Sequence, residues 1–191
     1  MAKIILASQS PRRKELLKSL GIDFEIIPAD IDESIDTDKP LIDEIEKLSF
    51  LKANHIFKDH KDSVVIGSDT IVVLNGLLLG KPKTNEKAKE MLNMLSNNTH
   101  QVITAVSIIS PKCSETFSNV SDVTFRELTS KEIDEYVNSG EPLDKAGAYA
   151  IQGGAKTFIS SINGDYYSII GLPICELSQR IKKYIYNADI V

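Results

Sequence analysis

Ile4-Ile5-Leu6-Ala7-Ser8-Gln9-Ser10-Pro11-Arg12-Arg13-Lys14-Glu15-Leu16-Leu17 passes from a continuous apolar run to apolar residues at helical spacing across two serines and a proline. A short apolar run bounded by turn residues reads as a buried strand. Ser10 is a preferred N-cap, Pro11 suits the first helical position and Gly21 is placed to stop the helix, so the signals predict a helix over 11–20. The unpaired N–H groups and positive dipole end of that helix favour phosphate or carboxylate, and Arg12 and Arg13 add two guanidinium forks there. Ser8 and Ser10 stand in the same junction and are counted with the arginines as substrate-binding candidates. A capped helix carrying two solvated cations is the plainer reading, and the stretch by itself leaves both open.

Outward from that junction, strand patterns cover 3–7, 24–28, 63–68, 70–74, 101–109 and 117–126. Helical patterns cover 11–20, 41–57, 85–95, 130–138 and 173–186. Alternation of this kind predicts an α/β protein with a central sheet flanked by helices. Asn75-Gly76, between Ile71-Val72-Val73-Leu74 and Leu77-Leu78-Leu79, predicts a hairpin, and Asn163-Gly164 before Tyr166-Tyr167-Ser168 predicts a second. The sheet is therefore expected to be mixed. The acid-dense, aperiodic stretch 30–39 reads as a surface loop.

The chain of 191 residues is most simply one domain and is long enough to bury a core without metal or disulfide staples. Its 22 Lys and Arg against 27 Asp and Glu give a net charge of −5, which argues against a general nucleic-acid binder. Cys113 and Cys175 are far apart and in no ligand spacing, which suits a reducing cytoplasm. No apolar run approaches the roughly 20 residues of a membrane span, and the start leads into a strand rather than a signal peptide. A cytoplasmic protein with no membrane partner is expected.

Three further stretches bear residue types suited to chemistry. Gly67-Ser68-Asp69-Thr70 follows the strand Val64-Val65-Ile66, and strand ends in α/β sheets commonly host ligands. An acid between two apolar strands is costly to bury unless it pairs, bonds or holds a metal; a turn aspartate bonded to nearby backbone is the alternative. Gly80-Lys81-Pro82 presents a lysine between a permissive and a rigid residue, though an isolated loop lysine is usually only solvated. Asp144-Lys145-Ala146-Gly147-Ala148-Tyr149-Ala150-Ile151-Gln152-Gly153-Gly154 sets an amide among small residues. Its donor and acceptor complement the imide edge of uracil or thymine, while the plainer reading is a glycine turn between strands. Neither a P-loop nor a dinucleotide fingerprint occurs.

Taken in order, Ser-Gln-Ser-Pro-Arg-Arg-Lys-Glu-Leu-Leu, Gly-Ser-Asp-Thr, Leu-Gly-Lys-Pro, Val-Thr-Phe-Arg and Asp-Lys-Ala-Gly-Ala-Tyr-Ala-Ile-Gln-Gly resemble the Maf family from Met1 to about Leu177, ending in Gly171-Leu172-Pro173. The resemblance implies a nucleoside triphosphate pyrophosphatase with a fold similar to inosine triphosphate pyrophosphatase, releasing monophosphate and diphosphate. It implies Asp69 as the catalytic proton acceptor, with Glu33, Lys52 and Lys81 as further active-site residues and Arg13 as a phosphate-binding arginine. Arg12, Thr70 and Gln152 fall at the specificity positions and look like the branch acting on dTTP and UTP, not the one acting on 7-methyl-GTP. Ala105 departs from the glycine common in the family, outside these positions. The resemblance also implies a homodimer.

On this basis a divalent cation, Mg²⁺ or Mn²⁺, is expected to be held by Asp69 and Glu33, with Arg13, Lys52 and Lys81 sharing the remaining phosphate charge. Cations beside a carboxylate weaken it as a base, so metal ligation and water positioning suit Asp69 better than proton abstraction. The family's older name, septum formation inhibitor, supports an alternative: a regulator of cell division that senses nucleotides without turning them over. Retention of Asp69, Glu33, Lys52 and Lys81 together argues for catalysis.

Overall fold

The computed structural model describes residues 3–185. Seven strands form one mixed sheet, β1 (Ile4–Ala7), β2 (Glu25–Ile26), β3 (Val64–Leu74), β4 (Leu77–Leu79), β5 (Thr99–Ile109), β6 (Ser114–Phe125) and β7 (Ile159–Asn163). Their order is β2-β1-β3-β5-β6-β7, with β4 paired to β3. The helices are α1 (Pro11–Lys18), α2 (Leu41–Phe57), α3 (Asn85–Leu95), α4 (Ser130–Asn138), α5 (Tyr166–Ile170), α6 (Ile174–Arg180) and α7 (Lys182–Ile185). The described residues divide into two compact units, one of 3–69, 104–119 and 171–185, the other of 70–103 and 120–170.

In the first unit, β1 runs parallel to both β2 and β3, with Ala7 opposite Gly67. That register ends the parallel pairing at Ala7 and Gly67, so that Ser8, which follows β1, and Ser68, which continues β3, come next beyond it. Helix α1 starts as expected, with Pro11 at its first position and Ser10 Oγ accepting from the Arg13 N–H at 3.4 Å. It stops at Lys18 rather than Leu20. There the Leu20 and Gly21 N–H groups bond carbonyls three residues back, a tightened last turn that ends the α-helix early.

Helix α2 buries Ile45, Leu48, Ala53 and Ile56 at helical spacing, and Ile56 and Ala53 pack with Ile5, Ala7 and Val65 of the sheet. Gly67 sets how close the helix comes. A Cβ there would lie 2.3 Å from the Ser49 carbonyl oxygen and 2.7 Å from the Ala53 nitrogen, so only glycine admits this approach.

The second unit holds the hairpin of β3 and β4. Asn75 and Gly76 both have positive φ, 50° and 82°, the geometry that two-residue hairpins prefer. Two expectations need correction. The strands expected over 63–68 and 70–74 are one, because Asp69 does not interrupt the pattern; β3 runs unbroken from Val64 to Leu74. Asn163-Gly164 is not a hairpin turn but the passage from β7 into α5, because the Asp165 carboxylate accepts from the Tyr167 N–H at 2.8 Å and its carbonyl from the Ile169 N–H, which starts a helix. Similarly, the expected helix 173–186 is two helices separated at Ile181, and residue 186 lies outside the described residues.

An aromatic cluster fills the second unit's core: Phe125 meets Tyr149 edge-on at 4.9 Å between centroids, and His100 at 5.1 Å. His100 Nε2 lies 2.8 Å from the Tyr149 hydroxyl, while Nδ1 has no partner among the described residues. Burial pulls this imidazole down to about 4 and pushes the Tyr149 phenol up. The folded state therefore binds fewer protons than the unfolded chain between pH 6.5 and about 4, and stability falls as pH falls through that window. The expected loss is about 3 kcal/mol. Urea midpoints taken across this range should show it, and the slope should flatten in His100→Gln; equal slopes would remove His100 as the cause.

Candidate active site

Four charged side chains meet in the first unit. Asp69 extends from β3, and its Oδ1 lies 3.1 Å from Lys52 Nζ and 3.6 Å from an Arg13 guanidinium nitrogen. Lys52, carried by α2, also reaches Glu33 Oε1 at 2.6 Å. One ammonium thus joins two carboxylates. Its side chain is 7% exposed, against 18% for Asp69 and 48% for Glu33, so the pairing grades from buried to open.

Each of these residues arrives for a local reason. Lys52 falls on the same buried face of α2 as Leu48, Ser49 and Ala53, and the Gly67 contact presses that face against β3. Glu33 comes from the acidic loop 30–39, which is mostly exposed and lacks regular structure as expected. Arg13 is aimed by Gly171, whose carbonyl accepts from Arg13 Nε at 2.9 Å and from Ser68 Oγ at 3.0 Å. Gly171 has φ 128°, a backbone conformation L side chains rarely adopt. Ser68 and Gly171 were not singled out from sequence as site residues, since their partners lie about a hundred positions apart in the chain.

Burial pulls the Arg13 guanidinium below its ordinary value and Arg12 adds repulsion, while Asp69 and Glu33 act in the opposite direction. It remains a cation, as arginine does in proteins. A further anion near this pair would relieve the repulsion between Arg12 and Arg13, the property a phosphate site requires. Ser8 and Ser10 serve the turn itself: Ser8 Oγ accepts from the Ser10 N–H at 3.1 Å and lies 3.5 Å from Arg13 Nη1.

In the second unit, Lys81 is exposed on a segment tied down on both sides. The Gly147 N–H donates to the Gly80 carbonyl at 3.1 Å, and the Lys83 N–H donates to that of Leu143 at 3.3 Å. Thr70 is half-buried directly after Asp69 in β3. Gln152 is exposed in the turn between Tyr149 and Gly154, where short helical turns replace the glycine turn between strands.

Among the described residues no group of three His, Cys, Asp or Glu side chains could hold a metal ion. The donor set is two carboxylates sharing a lysine, and both cation contacts to Asp69 fall on Oδ1. Hard oxygen donors in that number fit Mg²⁺ or Mn²⁺ arriving with a polyphosphate, since such ions usually keep waters and phosphate oxygens beside one or two carboxylates. They do not fit an all-protein cage.

The family model of Maf-like proteins matches residues 3–184. A protein named dTTP/UTP pyrophosphatase from Bacillus anthracis is 48% identical over 190 residues, covering 100% of this chain and 98% of its own length. Another of that name from Bacillus cereus strain G9842 is 48% identical over 184 residues, covering 96% of both. Among solved structures, a HAM1 protein from Coxiella burnetii superposes with a TM-score of 0.56 at 16% identity, covering 96% of this chain and 100% of that one, which shows a shared fold.

Proposed function

The chain belongs to the Maf family, and from that premise we propose that it hydrolyses dTTP and UTP between the α- and β-phosphates, giving the monophosphate and diphosphate. It is a nucleoside triphosphate pyrophosphatase, a hydrolase of acid anhydride bonds. The observation that carries the reading is the buried Lys52 joining Asp69 and Glu33, with Arg13 on the same oxygen of Asp69. Nothing in the comparisons favours a nucleotide sensor without turnover.

Hydrolysis of the anhydride needs water delivered in line with the leaving diphosphate and positive charge on the phosphate oxygens. Arg13 offers a guanidinium fixed by the Gly171 carbonyl, so its fork is oriented before substrate arrives. Lys52 supplies a second positive charge on a buried stem. To the Asp69 carboxylate, with both cations on its Oδ1, we assign the orienting of the water as a hydrogen-bond acceptor. A divalent ion held by Asp69 and Glu33 would supply further charge neutralisation on the phosphates when bound. To Lys81 we assign a share of the same charge.

Gln152 is assigned to the base, with Arg12 and Thr70 in substrate selection. One amide presenting a donor and an acceptor matches the imide edge of uracil or thymine, and in that orientation meets cytosine or adenine donor to donor and acceptor to acceptor. Gln152→Ala should lower the preference for UTP and dTTP over CTP about tenfold. Identical kcat/KM ratios in the variant would remove Gln152 from that role. We place the activity in the cytoplasm, a setting with which the free, exposed Cys113 and Cys175 agree; no described helix is long and apolar enough to cross a membrane.

The test of the whole reading is direct. Purified protein with UTP or dTTP and Mg²⁺ or Mn²⁺ should release monophosphate and diphosphate in equal amounts. Release of orthophosphate instead, or binding without turnover, would refute it.

A further inference from the structure

The turn that carries Gln152 is held at both ends by one pair of side chains. At its start, the Ala150 N–H donates to the Tyr136 hydroxyl oxygen at 3.3 Å. At its end, the Gly154 N–H donates to Glu141 Oε2 at 3.0 Å. The two holders are themselves joined, the Tyr136 hydroxyl donating to Glu141 Oε1 at 3.0 Å. Between them the turn closes on itself, with the Gly153 N–H bonded to the Ala150 carbonyl at 3.0 Å.

Both glycines after Gln152 are shaped to this arrangement. A Cβ on Gly153 would lie 1.7 Å from Glu141 Oε1, inside the carboxylate, and one on Gly154 would lie 3.1 Å from the Tyr136 ring. Tyr136 is itself buried and braced edge-on against Phe158 at 5.3 Å between centroids. A carboxylate that accepts from a main-chain N–H and a phenol at once, on a rigid ring, fixes the backbone on both sides of one exposed amide. Such bracing matters for an amide used in recognition, because a donor and acceptor pair discriminates between bases only if its plane is held.

We propose that Glu141 and Tyr136 are positioning residues for base selection: they hold the turn 150–154 so that Gln152 presents its amide in one orientation. The proposal rests on the assignment of Gln152 to the base. In this role both residues act through the turn and not on the reacting phosphate, so the effect of removing them falls on discrimination and not on chemistry.

Steady-state constants for UTP and CTP should be compared in the wild type, Glu141→Ala, Glu141→Gln, Tyr136→Phe and Gln152→Ala, and in Glu141→Ala combined with Gln152→Ala. In Glu141→Ala the UTP over CTP ratio of kcat/KM should fall about tenfold, carried by KM for UTP. Glu141→Gln should recover most of it, since its amide oxygen can still accept from Gly154. Tyr136→Phe, which removes only the hydroxyl between the two ends, should fall between these. The double variant should be no less selective than Gln152→Ala alone, because the carboxylate acts through the glutamine.

Amide hydrogen exchange supplies a readout independent of turnover. Protection at Gly153 and Gly154 should drop in Glu141→Ala while β1 and β3 keep theirs. Full additivity in the double variant, or equal losses for both nucleotides through kcat, would overturn the proposal while the shift in Gln152→Ala still upheld base recognition. An unchanged ratio in Gln152→Ala would instead remove the base assignment, and this proposal with it. Should Glu141→Ala fail to fold, Glu141→Gln and Tyr136→Phe decide the matter: wild-type selectivity and exchange in Tyr136→Phe overturn it.

Discussion

Asp69→Asn should lower monophosphate and diphosphate release from UTP by about a thousandfold or more. Asparagine keeps the shape of the side chain and removes its charge. Two cations then lose the negative charge on which they converge, Lys52 at 3.1 Å and Arg13 at 3.6 Å, and the water assigned to Asp69 would lose its anionic acceptor. Lys52 retains Glu33 at 2.6 Å and Arg13 retains the Gly171 carbonyl at 2.9 Å, so the fold should survive with a stability change on the order of 1 kcal/mol. Diphosphate release and a thermal melt on the same preparation separate the two effects. Turnover within tenfold of the wild type would contradict both the water-orienting and the metal-holding assignments.

Gly67→Ala should have the largest effect on stability. The added methyl would sit 2.3 Å from the Ser49 carbonyl oxygen and 2.7 Å from the Ala53 nitrogen, both of them backbone atoms that no rotamer change can move. Helix α2 must then withdraw from β3, opening contacts among Ala53, Ile56, Ile5 and Val65. Overpacking of this kind costs about 3 kcal/mol, or a melting temperature lower by roughly 6–12 °C in a chain of this size. The same withdrawal carries Lys52 away from Asp69, so activity should fall along with stability. A melting temperature within 2 °C or so of the wild type would show that the helix is not held at this distance by the glycine.

Much of the secondary structure was legible because its signals are local. Ser10 caps α1 with Pro11 at its first position, and Asn75-Gly76 turns the hairpin, all within four residues of sequence. The start of α1 in the Ser8–Arg13 stretch was legible for the same reason, since cap, proline and arginines are consecutive. Asn163-Gly164 misled because a hairpin turn and a strand-to-helix passage share those residues. The deciding group, the Asp165 carboxylate, acts one position later.

Asp69 misled for a different reason. An aspartate between two apolar runs reads as a break, since an acid at a strand interior is costly when unpaired. Its compensation lies in Lys52 and Arg13, contributed from α2 and α1. Glu141 and Tyr136 were invisible for the same cause, because their partners are backbone N–H groups, which carry no sequence identity.

By itself, the order of residues determined the α/β class, the capped helix behind the two arginines, the hairpin and the residue types suited to phosphate and base. Only the tertiary structure decided that β3 runs through Asp69, that Lys52 joins Asp69 to Glu33, and that Gly171 aims Arg13. The division is physical: caps and turns are closed by neighbours along the chain, whereas a buried charge is stabilised only by partners that folding brings to it.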